Sequence, residues 1–137
     1  MRRRLIAMIV LLALSLLGVG AATPAGAQTV TSIDVVSATL VAKGAALDVN
    51  LTVTCEAGAS GSAGATVTQR SGNVIMQGSG SATFVCTGEP QTVTVRVVAA
   101  AGGAPFRSGD AVVSAYVIAC SFECQSASTN ETVRVGR

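Results

Sequence analysis

From residue 47 onward the chain alternates. Leu47, Val49, Leu51, Val53 and Cys55 take every second position, with Asp48, Asn50, Thr52 and Thr54 between them, which is the period of a strand with one buried and one wetted face. Gln91 to Val98 repeats it, with Val93, Val95 and Val97 on one side and Thr92, Thr94 and Arg96 on the other. Thr132 to Val135 closes the chain in the same way. After residue 28 no stretch has an apolar period near 3.6, and the β-branched content disfavours helix. The domain is therefore expected to be all-β.

Turn residues divide it. Lys43-Gly44, Ser71-Gly72-Asn73 and Thr87-Gly88-Glu89-Pro90 read as tight turns, Glu56 to Gly64 as a small-residue loop, and Ala100 to Asp110 as the one long connection. Strands are predicted near 30–42, 46–55, 64–70, 73–86, 91–98, 111–120 and 126–135. About seven antiparallel strands at this spacing point to a two-sheet sandwich of immunoglobulin-like type. Gly78-Ser79-Gly80-Ser81 falls inside the fourth strand and reads either as a bulge or as a turn.

The cysteines bear on that choice. If the fourth strand is continuous, Cys55, Cys86, Cys120 and Cys124 all fall at one pole of the domain; a turn at 78–81 would send Cys55 to the opposite end, beyond disulfide reach of about 7 Å. A continuous, bulged strand is therefore expected. Four cysteines allow three pairings, of which the sequential one, Cys55 with Cys86 and Cys120 with Cys124, is favoured. Loop entropy assigns roughly 3.7 kcal/mol to the larger ring and about 2 kcal/mol to the smaller. The rival Cys55–Cys120 bridge would copy the inter-sheet bridge of antibody domains, but the tryptophan that packs on that bridge is missing from the chain.

An even cysteine count suits an oxidising compartment, and the N-terminus agrees. Arg2, Arg3 and Arg4 precede an apolar run from Leu5 to Leu17 broken only by Ser15, and Ala25-Gly26-Ala27 has the small residues of a cleavage site. The run of about thirteen residues is shorter than the roughly 20 that span a bilayer. Residues 1–27 are read as a signal peptide of the general secretory type and 28–137 as the mature domain, extracellular and free of the membrane once cleaved. The mature domain has six basic and seven acidic residues, a net charge of −1, so nothing favours nucleic acid.

The absence of histidine removes the ordinary catalytic triad and the commonest metal ligand. Cys120-Ser121-Phe122-Glu123-Cys124 does not have the Cys-x-x-Cys spacing of redox or zinc sites. No catalytic residue, metal or cofactor is expected. A sugar site calls for aromatic platforms, and the chain offers only Phe84, Phe106, Phe122 and Tyr116, of which Phe84, Phe106 and Tyr116 read as core. Asn50-Leu51-Thr52 and Asn130-Glu131-Thr132 match the glycosylation pattern but read as polar strand positions.

Phe84-Val85-Cys86-Thr87-Gly88, Phe106-Arg107-Ser108-Gly109-Asp110-Ala111-Val112 and the closing Cys120 and Cys124 resemble small secreted immunoglobulin-like domains of actinobacteria. The chain is also similar, more faintly, to the neocarzinostatin-type chromophore carriers, secreted sandwiches with two bridges, one tight and late in the chain. The first resemblance implies a structural frame without a reaction. The second implies a cleft for a small molecule.

Alternating strand direction sorts the charges. Glu56, Glu89 and Glu123 fall in loops at the cysteine pole, and Lys43, Arg70 and Arg107 at the other end. With Phe122 held on a disulfide-closed loop, the acidic pole is the candidate contact for a protein or cell-surface partner, through Glu56, Glu89, Phe122 and Glu123. The expected function is a monomeric, secreted, non-enzymatic binding or structural module. The alternatives are a small-molecule carrier and an extracellular protease inhibitor.

Overall fold

The computed structural model describes residues 31–137; the expected signal peptide, residues 1–27, and residues 28–30 lie outside the described residues. Seven strands follow in chain order: β1 Ser32–Val41, β2 Ala46–Thr54, β3 Ser60–Ser71, β4 Val74–Val85, β5 Gln91–Ala99, β6 Gly109–Cys120 and β7 Cys124–Gly136. A 3-10 turn, Ala42–Gly44, joins β1 to β2. Among the described residues no helix is long and apolar enough to cross a membrane.

The fold is all-β with two disulfides, but the strands form one closed ring in the order β1-β2-β5-β4-β3-β6-β7, not two separate sheets. The ring closes at two thin seams, where the expected two-sheet arrangement would have left open edges. At one, β1 lies parallel to β7 through Ala38↔Val135 and Thr39↔Gly136. At the other, the ladder between β4 and β5 is only two pairs long, Gly78↔Ala99 and Ser79↔Val98. Elsewhere the pairing is long and antiparallel, with β3 matched to β4 from Ser60↔Val85 to Ser71↔Val74.

The β4–β5 seam gives Gly78-Ser79-Gly80-Ser81 its meaning. β4 is continuous there as expected, but the bulge is absent, since its register against β3 runs through unbroken. The glycines instead permit contact between backbones. A Cβ on Gly78 would stand 2.3 Å from the Val98 carbonyl oxygen, and one on Gly80 only 1.9 Å from that of Arg96. The shift that does occur is in β1, between Val35 and Ser37. Val36 is the extra residue and points outward, which lets Ile33 and Val35 before it and Ala38 after it all face the interior.

The interior is filled unequally. β2 and β5 contribute Leu47, Val49, Leu51, Val53, Val95 and Val97, all shielded from solvent, while β3 and β6 face them with Ala63, Ala65, Ala115 and Ala119 among valines. Large side chains from one wall thus meet small ones from the other, and each full burial of a Val or Leu contributes about 1.5–3 kcal/mol. Phe106 is buried, as expected, at 2% exposure, and it closes the end away from the cysteines. Its N–H donates to the Gly44 carbonyl at 2.8 Å, and a Cβ on Gly44 would stand 2.2 Å from the Phe106 oxygen. Beside it the buried Gln69 uses both ends of its amide, donating to the Arg107 carbonyl at 2.8 Å and accepting from the Arg107 N–H at 2.9 Å.

Two further expectations are corrected. Residues 60–64 belong to β3, not to a loop, because aromatic rings supply the cover their glycines lack. The Phe84 ring lies over Gly61, and the Tyr116 ring over Gly64, across the strand in each case. Phe84 is consequently half-buried at the rim of the core, and Tyr116, read from the sequence as core, stands on the outside, 47% exposed.

Candidate functional site

The cysteine pole is assembled by register. Ser60, at the start of β3, pairs with both Val85 and Cys120, so the ends of β4 and β6 arrive side by side. Cys55 bonds Cys86, with Cα atoms 5.6 Å apart, and Cys120 bonds Cys124, at 4.0 Å. These are the sequential pairs. The first bridge is buried, and backbone hydrogen bonds flank it: Gly58 N–H donates to the Cys86 carbonyl at 2.8 Å, and Cys86 N–H to that of Ala59 at 2.9 Å. The second lies at the surface and closes the loop that carries Phe122.

That loop is fastened to its neighbour. The Ser121 hydroxyl donates to Glu56 Oε2 at 2.8 Å, and its N–H donates to the Glu123 carbonyl at 3.1 Å. Phe122 is fully exposed, so a large apolar ring projects from a short, covalently closed turn. The structure thus brings together Glu56, Ser121, Phe122 and Glu123. Glu89 stays on a separate turn at the same pole, where its backbone is held by Thr87 and Gln91 holds the start of the turn, the Thr87 N–H donating to Gln91 Oε1 at 2.8 Å. Gly88 is the point at which this turn approaches Ala57 of the β2–β3 loop. Ser121 was not singled out from the sequence; a serine beside a cysteine carries no signal of a partner 65 residues away.

The poles differ in charge as expected from strand direction. The cysteine end has Glu56, Glu89 and Glu123. The opposite end has Lys43 in the 3-10 turn, Arg70 at the β3–β4 hairpin, Arg107 ahead of β6 and Arg134 near the end of β7, with Asp110 among them. Arg96 belongs to neither end, because it pairs with Asp48 on the outer face of β2 and β5 at 2.6 and 2.9 Å. On that face Asn50 also donates to Ser37 and accepts from Thr94, which fits the reading of Asn50 as a strand polar residue.

The opposite outer face, formed by β4, β3, β6 and β7, is built differently. A shallow groove of about 670 Å3 starts at the cysteine pole, with Ser60 and Ser62 on its floor, Thr83 and Val85 along β4, and Ile118 along β6. A second depression of about 300 Å3 follows beyond Tyr116, between Thr66, Ser79 and Ser81. Among the described residues, no cluster of His, Cys, Asp and Glu could hold a metal ion. Neither protein-family models nor curated proteins match this chain.

Proposed function

We propose that this is a secreted, non-enzymatic binding module with immunoglobulin-like architecture, which contacts a protein or cell-surface partner through the loops of the cysteine pole. The observation that carries the reading is Phe122, wholly exposed on a loop closed by Cys120–Cys124 and tied to Glu56 through Ser121. An ordered aromatic side chain loses little conformational freedom on binding, and such residues dominate interface energetics. Glu56 and Glu123 beside it, with Glu89 on a separate turn of the same pole, select a partner surface that is basic. The ring divides into two groups of strands, β1-β2-β5 and β4-β3-β6-β7, with only short ladders between them, which supports the immunoglobulin-like description.

The test is a pull-down from culture supernatant and cell envelope with the oxidised mature domain, compared with Phe122→Ala, Glu123→Ala. Loss of the same bound proteins from the variant is the expected result. Equal recovery by both rules the pole out as the binding surface. The exposed Phe122 also fits the loop of an extracellular protease inhibitor, a second reading that fails if the domain inhibits none of a panel of secreted serine proteases.

A further inference from the structure

Protein surfaces are ordinarily about a quarter to a third charged, with both signs interspersed. The outer face of β4-β3-β6-β7 is not. From the row of Ser60 to the row of Thr68, no outward position on the four strands carries a charge; Arg70, Asp110 and Arg134 appear only at the far end. Serine and threonine hydroxyls occupy most of these positions, and β3, along the middle, has only Ser60, Ser62, Gly64, Thr66 and Thr68 facing out. Near the cysteine pole β3 lies between larger side chains, Val85 and then Thr83 on one side and Ile118 on the other, and forms the floor of a trench that continues past Tyr116 as the shallower depression at Thr66. The uncharged stretch from Ser60 to Thr68, at about 3.4 Å per residue, is about 27 Å long.

Tyr116 lies across this floor. Its ring occupies the space above Gly64 where a side chain would stand, with Cε1, Cζ and the hydroxyl oxygen all within 2.6 Å of the Cβ position. The outer end of the ring therefore covers Gly64, while nearly half of the residue remains open to water. The depression beside Ser62, Thr83 and Ile118 adjoins it on one side and that beside Thr66, Ser79 and Ser81 on the other. The sequence contains the residue, but alternation alone does not say that its ring faces out and lies down.

We infer that this trench binds an uncharged polysaccharide chain. A pyranose presents an apolar C–H face and a rim of hydroxyls. The Tyr116 ring offers an apolar surface for the first, and the flanking serines and threonines offer donors and acceptors for the second. The absence of charge matches a neutral polymer and disfavours sulfated, phosphorylated or carboxylated ones. A trench open along its length accepts the interior of a chain, so recognition does not need a free end. The surface is separate from Phe122 and does not depend on the role proposed for the cysteine pole.

Tyr116 is also its own reporter, because the chain has one tyrosine and no tryptophan. The oxidised mature domain is titrated with soluble hydroxyethylcellulose, mannan, dextran and arabinogalactan, with heparin as a charged control, while tyrosine emission is followed. At least one neutral polymer should change the emission saturably. Thr66→Leu and Ser62→Leu, which raise the floor and leave the reporter in place, should weaken that response about tenfold. Tyr116→Ser should abolish retardation of the domain in native gels containing that polymer, and Phe122→Ala should leave both signals intact. Unchanged emission and mobility with every neutral polymer overturn the inference. Full affinity in both leucine variants, or binding only to heparin, overturns it equally.

Discussion

The carbonyl oxygen of Arg96 lies 1.9 Å from where a Cβ on Gly80 would stand. Both partners in that contact are backbone, so neither can turn aside as a side chain would. Gly80→Ala should therefore force β4 away from β5 and destabilise the domain by about 1–3 kcal/mol, the ordinary cost of overpacking. Ser81→Ala, one residue on and pointing outward, should change stability by no more than about 0.5 kcal/mol. Urea denaturation of the two variants checks both values.

The bridges should differ in worth. Replacing Cys55 and Cys86 together by serine opens the larger ring and leaves two buried hydroxyls in place of an apolar disulfide, so the loss should exceed the roughly 3.7 kcal/mol of loop entropy. The same change at Cys120 and Cys124 should cost about 2 kcal/mol, because that ring is short and at the surface. The order of the two denaturation midpoints is the measurement.

Gln69→Ala should expose the role of a single amide. The Arg107 N–H and carbonyl would lose their partners in a part-buried setting, a cost of about 1–3 kcal/mol for each group left unsatisfied. Amide hydrogen exchange should accelerate at Arg107 and Phe106 before it does in β2. Equal protection in the variant and the parent would contradict this.

The pair on the outer face of β2 and β5 has a pH signature. The hydrogen bond from Arg96, supported by its charge, holds the Asp48 carboxyl below its ordinary range. A carboxyl whose folded pKa is depressed contributes fully above the unfolded value of 3.8, and the contribution is lost as pH falls through the folded value. Asp48→Asn should therefore flatten the acid limb of the stability curve and leave its slope near neutrality unchanged. Both groups are exposed, so the effect should be small and should shrink further in salt. The same hydrogen bond raises the Arg96 guanidinium further above its already alkaline range, so its part is lost only at strongly alkaline pH, outside the working range. Denaturation midpoints from about pH 6 to about pH 2 test the sign.

Alternation made β2, β5 and the end of β7 legible, since a two-residue period states which side chains are buried without reference to any neighbour. The cysteine pairs were legible for a related reason: strand direction brings the chain back to the same end. Strand order was not. Nothing local in β5 says that it lies between β2 and β4, and the glycines that let β4 close on it look, in sequence, like a turn. Residues 60–64 were misread because their apolar partners are rings on other strands, Phe84 and Tyr116. Gln69 escaped for the same cause, its partner being the backbone of Arg107, 38 residues away. The candidate pole was read from loop positions, but the tie between Ser121 and Glu56 and the full exposure of Phe122 needed coordinates.

The parallel seam between β1 and β7 has a practical side. Both strands run from the cysteine end to the Phe106 end, so the described chain comes in beside Phe122 and leaves at the far side of the barrel. A bead, dye or fusion partner attached after Arg137 would hold the domain upright with the bridged loops and the mouth of the trench turned outward. The same attachment ahead of Thr31 would crowd both.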